Sequence, residues 1–139
     1  MRIFSEFRLS YNGDYIADRS ENDDALILYS GGTTGTQKGI RLSNYSLNVL
    51  AVQLLAINPK SKAGDVVYSG VPIFHGFGLA MTCHGVLFNG GCCYLFPRFN
   101  AETVLKDVVK YKCTIIAGVP TLFEAILKAA DGKRFDFSF

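Results

Sequence analysis

Ten residues, Ser30 to Gly39 (SGGTTGTQKG), hold the densest chemistry in this sequence. Gly31, Gly32, Gly35 and Gly39 allow positive φ and close approach of a ligand to the backbone. Successive N–H groups in such a loop can form an anion-binding nest. Ser30, Thr33, Thr34 and Thr36 add hydroxyl donors, and Lys38 adds one positive charge. A strand followed by glycines, hydroxyls and a lysine is what the cradling of a polyphosphate requires. The competing reading is a glycine-rich surface turn. Two other phosphate loops are excluded. A Walker-type loop ends in Gly-Lys-Ser/Thr, whereas here Gln37 precedes Lys38 and Gly39 follows it. Gly76-Phe77-Gly78 opens a G-x-G-x-x-G pattern, but Met81 occupies its last glycine position.

Other reactive side chains are few. His75 lies in an apolar, glycine-broken segment, where a hydrogen-bonded structural histidine is the commoner finding. His84 follows Cys83 on the same expected helix and reads as structural. The four cysteines, 83, 92, 93 and 113, show no C-x-x-C spacing. Adjacent Cys92 and Cys93 would point to opposite faces of a strand, which suits neither zinc nor a mutual disulfide. They read as buried thiols in a reducing cytoplasm, and no metal site is expected. Fourteen basic residues nearly balance twelve acidic ones, for a net charge of +2, and they are scattered. That argues against a nucleic-acid partner.

These residues must be positioned by a chain of 139 residues, 49% hydrophobic, which suffices for one core. Residues 1–24 read as a polar lead-in with a turn at Asn12-Gly13, and 25–139 as a single domain. Ala25–Tyr29 reads as a buried strand, with a short strand at Ile40–Leu42. Ser43 looks like the N-cap of a helix whose apolar positions are Leu47, Leu50, Ala51, Leu54 and Leu55, ending at Asn58-Pro59. Val66 to Pro97 carries no charged side chain. Its six glycines and two prolines break it too often for a membrane span. It reads as a buried strand–helix–strand unit, with strands at 65–69 and 92–96 and a buried helix over 74–88. An amphipathic helix over 101–111, a strand over 114–117 and a helix over 121–130 follow, the last with Leu122, Phe123, Ile126 and Leu127 inward. Alternating strands and helices predict an α/β fold, a mostly parallel sheet with helices on both faces.

Leu28 to Gly39 resembles the phosphate-loop signature of the adenylate-forming, AMP-binding superfamily, roughly hydroxyl–small–Gly–Thr–Thr–Gly–x–Pro–Lys–Gly. Gly31 stands for a common serine and Gln37 for the usual proline. Val71 to Leu79 (VPIFHGFGL) is similar to the family's P-x-F-H-x-x-G segment, and Gly118-Val119-Pro120-Thr121 to its strand-to-helix turn. The details most resemble fatty-acyl-CoA synthetases.

The resemblance implies a two-step reaction. A carboxylate attacks the α-phosphate of Mg-ATP, and the thiol of coenzyme A then displaces AMP. It places Ser30, Gly31, Gly32, Thr33, Thr34, Gly35 and Lys38 on the β- and γ-phosphates, and His75 and Gly76 beside the acyl group. The family's aromatic-Gly-x-Thr-Glu segment, its T-G-D segment and its late lysine, with most ligands of Mg²⁺, are not among these residues. The expectation is a piece of the N-terminal region, cytoplasmic, without transmembrane segment, inactive alone and self-associating through uncovered apolar surface. The alternatives are an adenylation domain for aryl or amino acids, a nucleotide-binding module without catalysis, and an inert interaction fragment.

Overall fold

The computed structural model describes residues 18–31, 35–96 and 98–139. The Asn12-Gly13 turn and most of the lead-in lie outside the described residues. Strands β1 (Asp24–Ser30) and β2 (Lys38–Ser43) pair antiparallel, with Leu28 opposite Ile40 and Ser30 opposite Lys38. The expected buried strand in the parallel sheet is therefore one arm of a hairpin. A short loop can only return the chain antiparallel, since a parallel neighbour needs a crossover of a dozen residues or more. Leu26 and Leu28 are half-buried, while Ile27 and Tyr29 face outward.

Helix α1 (Asn44–Ile57) begins as its sequence predicts. The Ser43 Oγ accepts the Ser46 N–H at 3.2 Å. Ala51 is buried, and Leu47, Leu50, Leu54 and Leu55 are half-buried. Three strands, β3 (Val66–Ser69), β4 (Cys92–Tyr94) and β5 (Ile115–Ala117), form a parallel sheet in the order β4-β3-β5. Helix α2 joins β3 to β4. It is π-helical over Gly78–His84 and α-helical over Gly85–Phe88. Helix α3 (Ala101–Lys110) returns to β5, and α4 (Pro120–Ala130) follows.

The two faces of β3 are covered differently, because successive strand residues point opposite ways. Tyr68 packs with Val104, Val108, Cys113, Leu122 and Ile126 beneath α3 and α4. Val67 lies on the side of α1 and α2, with Leu54, Met81 and Thr82. The expected α/β class, with helices on both faces, is thus observed. Burial of each large aliphatic side chain such as Val104 contributes about 1.5–3 kcal/mol.

Several expectations are corrected. Helix α2 starts at Gly78 rather than at 74, and Phe74 is 80% exposed. The chain first turns over Pro72, with the His75 N–H donating to the Pro72 carbonyl at 3.1 Å. On α4, Leu122 and Ile126 are buried, but Phe123 is 39% and Leu127 71% exposed. One helix face meets α3 and the sheet, and these two residues lie beyond its edge. Of the four thiols, Cys113 is buried, Cys83 and Cys93 are half-buried and Cys92 is exposed, and all are free.

Candidate functional site

The hairpin sets the stems of the glycine loop. Ser30 and Lys38 sit opposite each other in register, so a hydroxyl and an ammonium group flank the loop at its base. Gly32, Thr33 and Thr34, expected to bind phosphate, lie outside the described residues. Gly35 adopts φ +81°, a conformation that a side chain disfavours. Gly31 is different. It has no positive φ, and a Cβ added there meets nothing within 4 Å. Among the described residues, packing gives no reason for its lack of a side chain. Lys38 is exposed.

The second expected segment abuts this hairpin. A Cβ on Gly76 would lie 3.3 Å from Leu28 Cδ2, so the segment leading into α2 rests against β1. The two predicted motifs, 46 residues apart between Ser30 and Gly76, are thus neighbours in space. His75 is exposed, and its Nδ1 accepts the Phe77 N–H at 3.2 Å. With Nδ1 accepting, the neutral ring carries its proton on Nε2. His84 is structural, as expected: its Nε2 meets Asn48 Oδ1 at 3.2 Å and ties α2 to α1.

The turn between β3 and α2 is held tightly. The Ser69 and Thr82 hydroxyls are both buried and hydrogen-bonded to each other. Thr82 Oγ1 donates its proton to the Gly78 carbonyl at 2.7 Å, and Ser69 Oγ shares its own between Thr82 Oγ1 and the Val71 carbonyl, 3.0 Å away. At Gly78 a Cβ would stand 2.2 Å from the Pro72 carbonyl oxygen, so only glycine fits. The third motif performs a similar task. Leu122 on α4 lies over Gly70 and Gly118, where added Cβ atoms would fall 2.5 and 2.9 Å from its methyl groups. These glycines bring the ends of β3 and β5 under α4.

At the carboxyl ends of β3 and β4 opens a cavity of about 360 Å³. Ligands in open parallel sheets bind at this end of the strands. Val71, Ile73 and Phe74 form one wall and Phe96 and Phe99 the other, with Arg98 as the charged lining residue. The residues just before His75 line it, but His75 and Gly76 do not. Reading the sequence missed this cavity and Arg98. One signal was present: Arg98 is the first charged residue after the uncharged run from Val66 to Pro97.

Electrostatics elsewhere are structural. The Asp65 carboxyl is held below its usual range, chiefly because it accepts the Lys62 N–H at 2.7 Å, and also by the Thr114 hydroxyl at 2.9 Å. It pins the entry of β3 to that of β5. Burial, then neighbouring Cys83, pushes the Cys93 thiol up to about 12. Among the described residues no three His, Cys, Asp or Glu side chains cluster to hold a metal.

A hairpin bearing a glycine–threonine loop, set beside a parallel α/β sheet, defines an N-terminal region of the adenylate-forming type. Residues 5–138 match the AMP-binding enzyme family, and the chain belongs to that family. It is 35% identical over 121 residues to 4-coumarate–CoA ligase-like 3 of Arabidopsis thaliana, covering 86% of this chain and 22% of that protein. Its fold matches the inhibitor-bound N-terminal domain of FACL13 from Mycobacterium tuberculosis with a TM-score of 0.78, at 22% identity, over 91% of this chain and 31% of that one. ATP-bound MatB from Rhodopseudomonas palustris matches with a TM-score of 0.68 at 33% identity, over 81% of this chain and 22% of that one. The chain spans about a quarter of the length of the curated relatives it matches. No described helix is long and apolar enough to cross a membrane.

Proposed function

We propose that these residues are the phosphate-binding and acyl-facing part of an ATP-dependent CoA ligase. The observation that carries the reading is the loop clasped between Ser30 and Lys38, opposite each other at its base. No described residue crowds Gly31, which supports it, because a bound phosphate explains the missing side chain. In the first step a carboxylate oxygen attacks the α-phosphorus and the bond to the β-phosphate oxygen breaks, releasing pyrophosphate. The thiol sulfur of coenzyme A then attacks the acyl carbon, AMP leaves and the thiol proton is lost. Both reactants of the first step are anions, so neutralising charge is the main demand. Ser30, Gly31, Gly32, Thr33, Thr34, Gly35 and Lys38 hold the β- and γ-phosphates in this reading. His75 and Gly76 border the acyl group, with His75 Nε2 as the available donor. Mg²⁺ accompanies the nucleotide, held by ligands outside these residues.

The acyl group is a fatty chain on the evidence of Ser30–Gly35 and Phe74–Leu79. An aryl acid is the second reading, favoured by the similarity to a 4-coumarate–CoA ligase-like protein. These 139 residues alone bind ATP but catalyse no exchange, and they work in the cytoplasm without a nucleic-acid partner. Equilibrium dialysis with labelled ATP tests the binding. Lys38→Ala should weaken it about tenfold, the loss of one charge-assisted contact. Equal affinity of wild type and Lys38→Ala would reject the assignment of the loop. Pyrophosphate exchange by a longer polypeptide carrying these residues, with fatty, aryl and amino acids in turn, decides the carboxylate. Exchange catalysed by the 139 residues themselves would refute their inactivity.

A further inference from the structure

We propose that Cys83 on α2 and Cys93 on β4 are a peroxide-sensitive thiol pair, which oxidation joins in a disulfide that fastens α2 to the parallel sheet. The inference stands on packing and not on the ligase reading, so either can fail without the other. All four thiols are free, and the register of the sheet sorts them. Cys93 is the in-register partner of Val67, and Cys92 of Val66. Residues paired across a ladder share a face, and successive residues alternate. Cys93 therefore lies with Val67 on the side of α1 and α2, whereas Cys92 lies with Val66 on the side of Tyr68 and Cys113. The turn from α2 into β4 brings the first pair together. The Gly91 N–H donates to the Val86 carbonyl at 2.9 Å, and a Cβ on Gly91 would fall 2.8 Å from the Asp65 carbonyl oxygen, so helix and strand are drawn close. From that point Cys83 lies back along the helix by about 4.5 Å of rise. Cys93 lies on along the strand by about 6.6 Å. The two thiols are neighbours, and both are half-buried, open to a molecule as small as hydrogen peroxide.

The chemistry needs hydrogen peroxide as oxidant and nothing else. Burial keeps the Cys93 thiol protonated, so Cys83 reacts first. Its thiolate sulfur attacks one peroxide oxygen and the O–O bond breaks. The hydroxide that leaves takes up the proton Cys83 released, and Cys83 is then a sulfenic acid. The Cys93 sulfur attacks the Cys83 sulfur, the S–O bond breaks, and the hydroxyl departs as a second water with the Cys93 proton. The two sulfurs lose two electrons and the two peroxide oxygens gain them. The ring so closed spans residues 83–93, from the end of the π-helical segment to the first half of β4. π-Helical turns are rare and recur at functional sites. This one directly follows the segment in which Gly76 rests against Leu28. A bridge at its end removes freedom of α2 against the sheet.

The test treats the 139-residue chain with hydrogen peroxide, alkylates the remaining thiols and maps the peptides by mass spectrometry, with dithiothreitol as the reverse step. Cys83→Ser, Cys93→Ser and Cys92→Ser are compared with wild type, with circular dichroism as the check of folding. The expected result is a Cys83–Cys93 peptide pair lighter by about 2 Da than its two thiols. It is absent from the first two variants, kept in Cys92→Ser, and formed faster in the folded chain than in urea. Amide hydrogen exchange over residues 78–88 slows about tenfold in the bridged chain and recovers on reduction. No bridge in the wild type overturns the proposal, and so does a Cys92–Cys113 bridge in its place. Cys83 carried to a sulfinic acid with Cys93 unreacted also overturns it. Equal rates with and without urea would show that the fold does not pair the thiols. A bridge that leaves hydrogen exchange unchanged would show that it does not fasten α2.

Discussion

Replacing Gly78 by alanine gives a sharp test of how the candidate site is held. The added Cβ would stand 2.2 Å from the Pro72 carbonyl oxygen, 2.7 Å from its carbon and 3.0 Å from the Val71 oxygen. A relaxed carbon–oxygen contact is about 3.3 Å, so the overlap is about 1 Å. All three opposing atoms are backbone, and no side chain can swing aside. Ser69 and Thr82 hold the two segments together through their buried hydroxyls, which limits relaxation. Overpacking of this kind costs about 1–3 kcal/mol. Alanine in place of glycine in a helix returns about 0.5–1 kcal/mol. The net expectation is a loss of about 1–2 kcal/mol. At about 4 °C per kcal/mol for a chain of this size, the melting temperature falls by about 4–8 °C. Urea unfolding followed by circular dichroism measures it. Gly31→Ala is the control, because its Cβ meets nothing within 4 Å and stability should stay within about 0.5 kcal/mol. Gly78→Ala as stable as wild type, or more so, would refute the close approach of α2 to the 71–72 segment. With it would go the argument that this turn positions Gly76 against Leu28.

Asp65 makes stability depend on pH. Its folded pKa lies below the ordinary 3.8, so the stabilisation is complete above that value and is lost as pH falls through the folded pKa. Asp65→Asn should cost about 1–3 kcal/mol at neutral pH and flatten the acid limb of the stability curve; an unchanged limb would show that other groups set it. Asn100 caps α3 by accepting the Glu102 N–H at 2.9 Å, and Asn100→Ala should cost about 1 kcal/mol in urea unfolding. Ile57, Phe74 and Leu127 are all more than 70% exposed, so light scattering should show concentration-dependent association, reduced by Ile57→Glu. A monomer at every concentration would count against it.

Much of this protein was determined by local sequence. Ser43 and Asn58 bound α1 because capping and the Asn-Pro step act over one turn. The α3 stripe of Val104 and Val108 follows from helical period alone. The run of apolar residues through β3 announced a strand covered on both faces. The loop from Ser30 to Lys38 was legible because the donors and the cation are contiguous. What the local pattern could not decide is which strand pairs with which. The sequence of β1 suits a buried parallel strand or a hairpin arm equally, and only the return of the chain through Lys38 makes it the latter. Nor does helical period tell where α2 begins. Its apolar positions run back to Phe74, but the backbone contact at Gly78 requires a turn first. Phe123 and Leu127 read as inward, yet the width of the face that α3 and the sheet cover leaves them outside. The cavity bearing Arg98 belongs wholly to the tertiary structure, because its walls come from the exits of two strands separated by a helix. Residues close in sequence report their own geometry, whereas a pocket between strand ends exists only once parallel pairing has placed those ends side by side.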